Sequence, residues 1–152
     1  MIRVIGVGNP YRRDDAAGLE VARRIEREGI DEVEVLEHDG EPARLLDLWT
    51  GAEVAIVVDA VRADEAPGTV HRVEVGPHPV PERPRRDSTH AVGLGEAVEL
   101  ARALDRLPGR LVLYGITGAD FGAGEGLTPS VAAAVGALVD EILREPGLRR
   151  AG

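Results

Sequence analysis

The chain has 152 residues and a formal net charge of −9; it contains no cysteine, and all 18 of its basic residues are arginine. Without cysteine or lysine there is no disulfide framework, Cys-ligated zinc, cysteine nucleophile, lysine Schiff base or GxxxxGK[ST] phosphate loop. The acidic balance argues against nonspecific nucleic-acid binding, no apolar run approaches a membrane span, and Met1 to Ile5 lacks a signal-peptide pattern. The expectation is a cytoplasmic, monomeric protein, one domain over residues 1–152, with any metal held by Asp, Glu, His or backbone oxygen. Aromatic residues make up only 3% of the chain, so Leu, Val, Ile and Ala must build the core.

Ile2 to Gly6 is an aliphatic run closed by Gly6 and Gly8 and reads as a buried strand. Asp14 or Asp15 starts a helix, as an acid at a helix N-terminus suits free amides and the dipole. Leu19, Ala22 and Ile25 give that helix its apolar stripe, and Gly29 stops it. Val33 to Leu36 is a second strand. Pro42 to Trp49 is a second helix with Leu45, Leu46 and Trp49 inward. Val54 to Val58 has no alternation, so both its faces are covered, as in a parallel sheet. Asp64 to Gly68 is a turn signal. Val70 to Val75 alternates with period two and reads as a half-exposed, antiparallel strand near an edge. Gly76 to Asp87, rich in proline and arginine, reads as a surface loop. Ser88 or Thr89 caps a third helix carrying Val92, Ala97, Val98, Ala101 and Leu104. Leu111 to Ile116 is the last core strand. Gly118 to Gly126 reads as a long, mobile, glycine-rich loop. Thr128 and Pro129 open a final helix lined by Val131, Val135, Leu138, Val139 and Ile142, and Gly147 to Gly152 reads as a frayed tail. The order β-α-β-α-β-β-α-β-α predicts a three-layer α/β/α sandwich: a mostly parallel twisted sheet with one antiparallel strand.

Sites in open α/β sheets form beyond the C-terminal strand ends. The first strand is followed there by Gly6, Gly8, Asn9, Asp14 and Asp15. Asp59 follows the third strand, and Asp87-Ser88-Thr89-His90 precedes the third helix. Thr117, Asp120 and Glu125 follow the last strand. Two carboxylates and a histidine from three segments make an oxygen and nitrogen ligand set for a divalent metal. For one of Asp14 and Asp15 the expectation is only helix capping. Gly6-x-Gly8 lacks the third glycine of a dinucleotide fingerprint.

The stretch Gly6-Val7-Gly8-Asn9-Pro10-Tyr11-Arg12-Arg13-Asp14-Asp15-Ala16-Ala17-Gly18 resembles the N-terminal signature of the hydrogenase maturation endopeptidases. That signature is a GxGN loop, an acidic pair and a nearby glycine. Val58-Asp59-Ala60 resembles the family's aspartate after its apolar third strand. Ser88-Thr89-His90 with Gly93-Leu94 resembles its histidine at a helix start. Tyr114-Gly115-Ile116 and Gly126-Leu127-Thr128-Pro129 resemble its C-terminal pattern. The family's acid at Asp15 is often the longer glutamate, and the position of Ala16 is commonly glycine. After the second strand the family often shows a glycine pair, where this chain has His38-Asp39-Gly40-Glu41-Pro42. His38 and Asp39 are therefore accessory candidates.

The resemblance implies a nickel-recognising endopeptidase. It would remove the C-terminal extension of a [NiFe]-hydrogenase large-subunit precursor after nickel insertion. Asp15, Asp59 and His90 would be both metal-contacting and catalytic. The nickel would come with the substrate and bind the free protein weakly. Nickel accepts carboxylate and imidazole. One alternative is a non-catalytic nickel-binding accessory protein of hydrogenase assembly. Another is a phosphate or nucleotide binder using the Gly6 to Asn9 loop.

Overall fold

The computed structural model describes residues 1–75 and 94–148. The strands β1 (Ile2–Val7), β2 (Val33–His38), β3 (Val54–Val61), β4 (Val70–Val75) and β5 (Arg110–Thr117) form one sheet in the order β2-β1-β3-β5-β4. The β1–β2, β1–β3 and β3–β5 pairs are parallel, and β4 is antiparallel to β5 at the edge. The helices among the described residues are α1 (Ala17–Arg27), α2 (Pro42–Trp49), α3 (Gly95–Ala103) and α4 (Pro129–Leu143). The three-layer mixed sheet expected from the element order is thus present.

Side-chain alternation splits each central strand between two apolar clusters. Val4, Ile56, Val58, Val112 and Tyr114 pack with Val21 and Ile25 of α1 and with Val135, Leu138 and Ile142 of α4. Ile5, Val57, Leu111 and Leu113 pack on the other face with Leu45, Leu46 and Trp49 of α2 and with Val98 and Ala101 of α3. This double cover explains the unbroken aliphatic runs of β1, β3 and β5. The edge strand β4 alternates, with Val70, Arg72 and Glu74 exposed.

Several expected boundaries move. The strands β1, β2, β3 and β5 extend to Val7, His38, Val61 and Thr117, because the parallel ladder stays in register to those residues. Asp59 therefore lies within β3 and not after it. A 3-10 turn over Arg13–Ala16 precedes α1, whose N-cap is Ala16 with no side-chain cap. Neither Asp14 nor Asp15 caps that helix. Leu104 ends α3 as its C-cap and is 53% exposed, so it is not a core residue. Leu148 is buried in the α1/α4 cluster, so the C-terminal tail packs at least that far. The expected loop Gly76 to Asp87, the helix start at Ser88 or Thr89, and His90 and Val92 lie outside the described residues.

The seating of α1 depends on two glycines. A Cβ on Gly6 would lie 2.5 Å from the Gly18 carbonyl oxygen. A Cβ on Gly18 would lie 2.2 Å from the Val58 oxygen and 2.7 Å from the Val7 oxygen. The helix backbone therefore rests directly on β1 and β3, which carries its N-terminal approach over their C-terminal ends. The chain leaves β1 for β2 on one side, while β3 lies on the other. The gap between β1 and β3 is thus the topological switch point where such sheets form sites. Gly18→Ala should lower stability by about 2 kcal/mol through overpacking, despite alanine's better helix propensity. Chemical denaturation tests this, and an unchanged or higher midpoint would contradict the close approach.

Candidate functional site

The loop after β1 folds on itself through its own amides. The Gly8 N–H donates to the His38 carbonyl (3.0 Å), and the Asn9 N–H donates to Asp15 Oδ2 (2.9 Å). The Tyr11 N–H donates to Asn9 Oδ1 (2.9 Å). Gly8 has a φ of +152°, and a Cβ there would lie 1.9 Å from the Asp15 carbonyl oxygen. Only glycine lets the turn close that tightly. With these amides satisfied internally, the loop has little left to cradle a phosphate, which removes the physical basis of the nucleotide reading.

The 3-10 turn sends its two aspartates different ways. Successive side chains on such a turn point about 120° apart. Asp14 is fully buried and reaches the loop after β5. Its Oδ2 accepts from the N–H groups of Ala119 (2.8 Å) and Asp120 (3.0 Å) and from the Thr128 hydroxyl (2.9 Å). Its Oδ1 accepts from the Thr128 N–H (2.8 Å). Burial pushes this carboxyl up, but the donors of Thr128, Ala119 and Asp120 outweigh it and hold the group below the ordinary carboxylate range. Thr128 is the N-cap of α4 as expected, yet its hydroxyl serves Asp14 and makes no cap. Two further bonds join the same loops: Arg13 N–H to the Gly124 carbonyl (3.0 Å) and Gly124 N–H to the Tyr11 carbonyl (2.9 Å). The Gly118 to Gly126 segment is therefore cross-braced, which corrects the expectation of a mobile loop.

Asp15 and Asp59 face the β1/β3 crevice. One Asp15 oxygen is held by the Asn9 N–H. Asp59 Oδ1 accepts from the neighbouring Ala60 N–H (2.8 Å). Asp59 shares the parity of Ala55 and Val57, so its side chain emerges on the α2/α3 face. Some of its surface reaches solvent, yet protein surrounds it closely. That burial pushes its pKa up to about 8, the Ala60 N–H opposes the rise, and the Asp15 charge adds to it. The two carboxylates therefore feel each other, and the crevice holds a proton near neutral pH. A cation in the proton's place would neutralise the same repulsion. Among the described residues no three His, Asp or Glu side chains cluster tightly enough to hold a metal. The third expected ligand, His90, lies outside those residues.

The accessory candidates have other work. His38 ends β2 beside Val7. Its Nδ1 accepts the Gly40 N–H (2.9 Å) and lies 3.3 Å from Asp39 Oδ1. Asp39 Oδ1 accepts from the Glu41 N–H (3.1 Å), and Glu41 caps α2. Both residues shape a turn.

Sequence reasoning missed His71. Register aligns Asp59 with Gly115 and Gly115 with His71, which puts all three in one row across the sheet. Paired residues face the same side, and Gly115 leaves a gap between the two side chains. His71 Nε2 lies 3.2 Å from the Thr117 hydroxyl. The alternation of β4 marks His71 as inward-facing, but only the strand order puts it in the row of Asp59, two strands away.

Two measurements check these environments. In Asp14→Asn the amide NH2 opposes a ring of N–H donors, so stability at neutral pH should fall by about 3 kcal/mol. The folded-state pKa of Asp14 is depressed. Its contribution is therefore present above the ordinary 3.8 and lost as pH falls through the lower folded value, so the two proteins should converge in acid. Asp59 has the opposite sign. Between 3.8 and about 8 the folded protein holds a proton that the unfolded chain has released. Stability contributed by Asp59 therefore falls as pH rises through that window. Asp59→Asn should raise the thermal midpoint at pH 8, with little change near pH 4; a lower midpoint at pH 8 would refute the desolvated environment.

The chain is similar to known proteins over most of its length. The sequence model of the hydrogenase maturation proteases matches residues 19–145. The hydrogenase 2 maturation protease of Escherichia coli K12 is 29% identical over 154 aligned residues, covering 97% of this chain and 93% of that protein. The hydrogenase expression/formation protein HupD of Thiocapsa roseopersicina is 31% identical over 117 residues; the match covers 76% of this chain but only 53% of HupD. Among solved structures, the hydrogenase maturating endopeptidase HybD of E. coli superposes with a TM-score of 0.75 at 26% identity, covering 96% of this chain and 93% of that one.

Proposed function

Because the chain belongs to the hydrogenase maturation protease family, we propose that it removes the C-terminal extension of a [NiFe]-hydrogenase large-subunit precursor once nickel has been inserted. The observation that carries this reading is the pair of carboxylates, Asp15 and Asp59, at the β1/β3 switch point, where the burial of Asp59 and the nearby Asp15 charge both raise the Asp59 pKa. Each carboxylate is anchored through one oxygen by a backbone amide, Asn9 for Asp15 and Ala60 for Asp59. Each keeps its second oxygen for a ligand.

Nickel held by the precursor is part of the substrate, and Asp15, Asp59 and His90 are the residues to contact it. Carboxylate and imidazole suit that ion. A bound metal would polarise a nearby carbonyl. The chain's own contribution is to place the scissile bond and to handle protons. While Asp59 is protonated it is no base. A cation entering the crevice would compete with that proton for Asp59, which ties the protonation of the site to the arrival of nickel. Hydrolysis must take a proton from the attacking water and deliver one to the leaving amine, and a carboxyl with a pKa near neutral is suited to both.

The test mixes purified protein with nickel-loaded and nickel-free precursor and follows length on a gel. Shortening should require nickel. Asp15→Asn, Asp59→Asn and His90→Ala should each slow it by roughly 100-fold or more. Cleavage that is equally fast without nickel, or that survives Asp15→Asn and His90→Ala, overturns the mechanism. A precursor that keeps its length while the protein takes up nickel would favour the accessory-protein reading.

A further inference from the structure

The sheet ends on one side in a strand with an open main-chain edge. Among the described residues β2 pairs only with β1 and stands outermost in the order β2-β1-β3-β5-β4. The Glu32 carbonyl accepts the Ile2 N–H, and the His38 carbonyl accepts the Gly8 N–H. The N–H and C=O of one strand residue point to the same side, and successive residues alternate. The even-numbered residues of β2 therefore bond β1, and the odd-numbered ones face outward. The Val33 N–H is taken up by the Ile30 carbonyl (3.3 Å). The Val33 carbonyl and the main-chain groups of Val35 and Glu37 are left as a template for another strand.

Beside this edge, between the end of α1 and β2, lies a notch of about 170 Å3. Ile25, Ile30, Val33 and Val35 line it with Glu26 and Gly29, so it suits one aliphatic side chain. The charge around it has one sign. Glu26, Asp31 and Glu32 are exposed and Glu34 is half-buried, and no side chain of these four has an ion-pair partner among the described residues. Arg27 is the one base between Glu26 and Glu37, and Arg23 of α1 pairs with Glu37 (2.9 Å). An open edge with a side-chain pocket is the arrangement by which sheets take on an extra peptide strand. Like charges facing across a strand pair are unfavourable. A second copy would bring the same acids to this edge, whereas a basic strand would neutralise them.

We propose that the free edge of β2 is an exosite, where a basic, extended stretch of the precursor adds to the sheet and seats an aliphatic side chain in the notch. The inference rests on the protease reading. A bond is cut only in an extended, accessible chain, so the precursor must bring such a chain to the rim where β2 ends. The exosite is separate from the Asp15/Asp59 crevice, because β1 lies between them. With strands about 4.8 Å apart, the added strand runs roughly 12 Å from the β1/β3 gap. At ~3.3 Å per extended residue, the paired stretch begins about four residues from the scissile bond. The bond from the Gly8 N–H to the His38 carbonyl ties the end of β2 to the loop that carries Asp15, so a strand held on β2 is fixed relative to the crevice.

Amide hydrogen exchange in the intact protein, with and without nickel-loaded precursor, tests this. The Val35 and Glu37 amides should exchange about tenfold more slowly once precursor is added, while Glu34 and Leu36, already bonded to β1, should change little. Val35→Pro removes an outward N–H and leaves the bonds to β1 in place. Glu26→Lys/Glu32→Lys reverses the exposed charge and keeps the test open if the proline variant does not fold. Each should raise KM about tenfold with kcat nearly unchanged, and the wild-type KM should rise with salt. An unchanged KM in the charge variant, or no protection of Val35 and Glu37 by precursor, overturns the exosite. Protection that needs no precursor and grows with protein concentration would assign the edge to a second copy and overturn it as well. Protection by a precursor that is never shortened would sink the protease reading and keep the exosite. Cleavage with both amides unprotected would sink the exosite alone.

Discussion

One buried carboxylate holds the two ends of this site together. Asp14 collects four hydrogen bonds from the loop after β5, a segment more than a hundred residues away in the chain. A buried charge without such partners costs several kcal/mol. Here the donors are three backbone amides and a hydroxyl, so both loops must stay where they are for the charge to remain satisfied. The strand-end loops are therefore braced as one rim, and the Asp15 carboxylate that it presents is preorganised.

The general architecture was legible in the sequence because it follows from short-range pattern. Unbroken aliphatic runs identify β3 and β5 as doubly covered, and the alternation of Val70 to Val75 identifies an antiparallel edge. The site was legible only in outline. Asp14 and Asp15 are neighbours of the same residue type, and nothing local says which one turns inward. The answer depends on where Ala119 and Thr128 lie, which the register of β5 decides. The same holds for His71, placed in the row of Asp59 by strand order alone. Gly118 to Gly126 read as mobile because glycine permits many conformations. What selects one of them is the Asp14 carboxylate together with the pairing of Arg13 and Gly124.

Glycine carries the fold in a second sense. Gly6 and Gly18 remove the side chains that would hold α1 off the sheet. The helix consequently lies closer to β1 and β3 than alanine would permit, and the turn that bears both aspartates is brought over the strand ends. The glycines of the N-terminal motif thus position chemistry without taking part in it. Gly8 does the same inside the loop, where the Asp15 carbonyl occupies the space a side chain would need.

The proton on Asp59 bears on when a hydrolase becomes dangerous. Many proteases stay harmless until a propeptide is cut away. Here a desolvated acid beside another acid would serve the same end with no extra chain. On the proposed reading the free protein's crevice would be self-quenched near neutral pH, and only a partner that brings its own positive charge would wake it. Dormancy would then be an equilibrium property of the folded state, restored as soon as the cation departs.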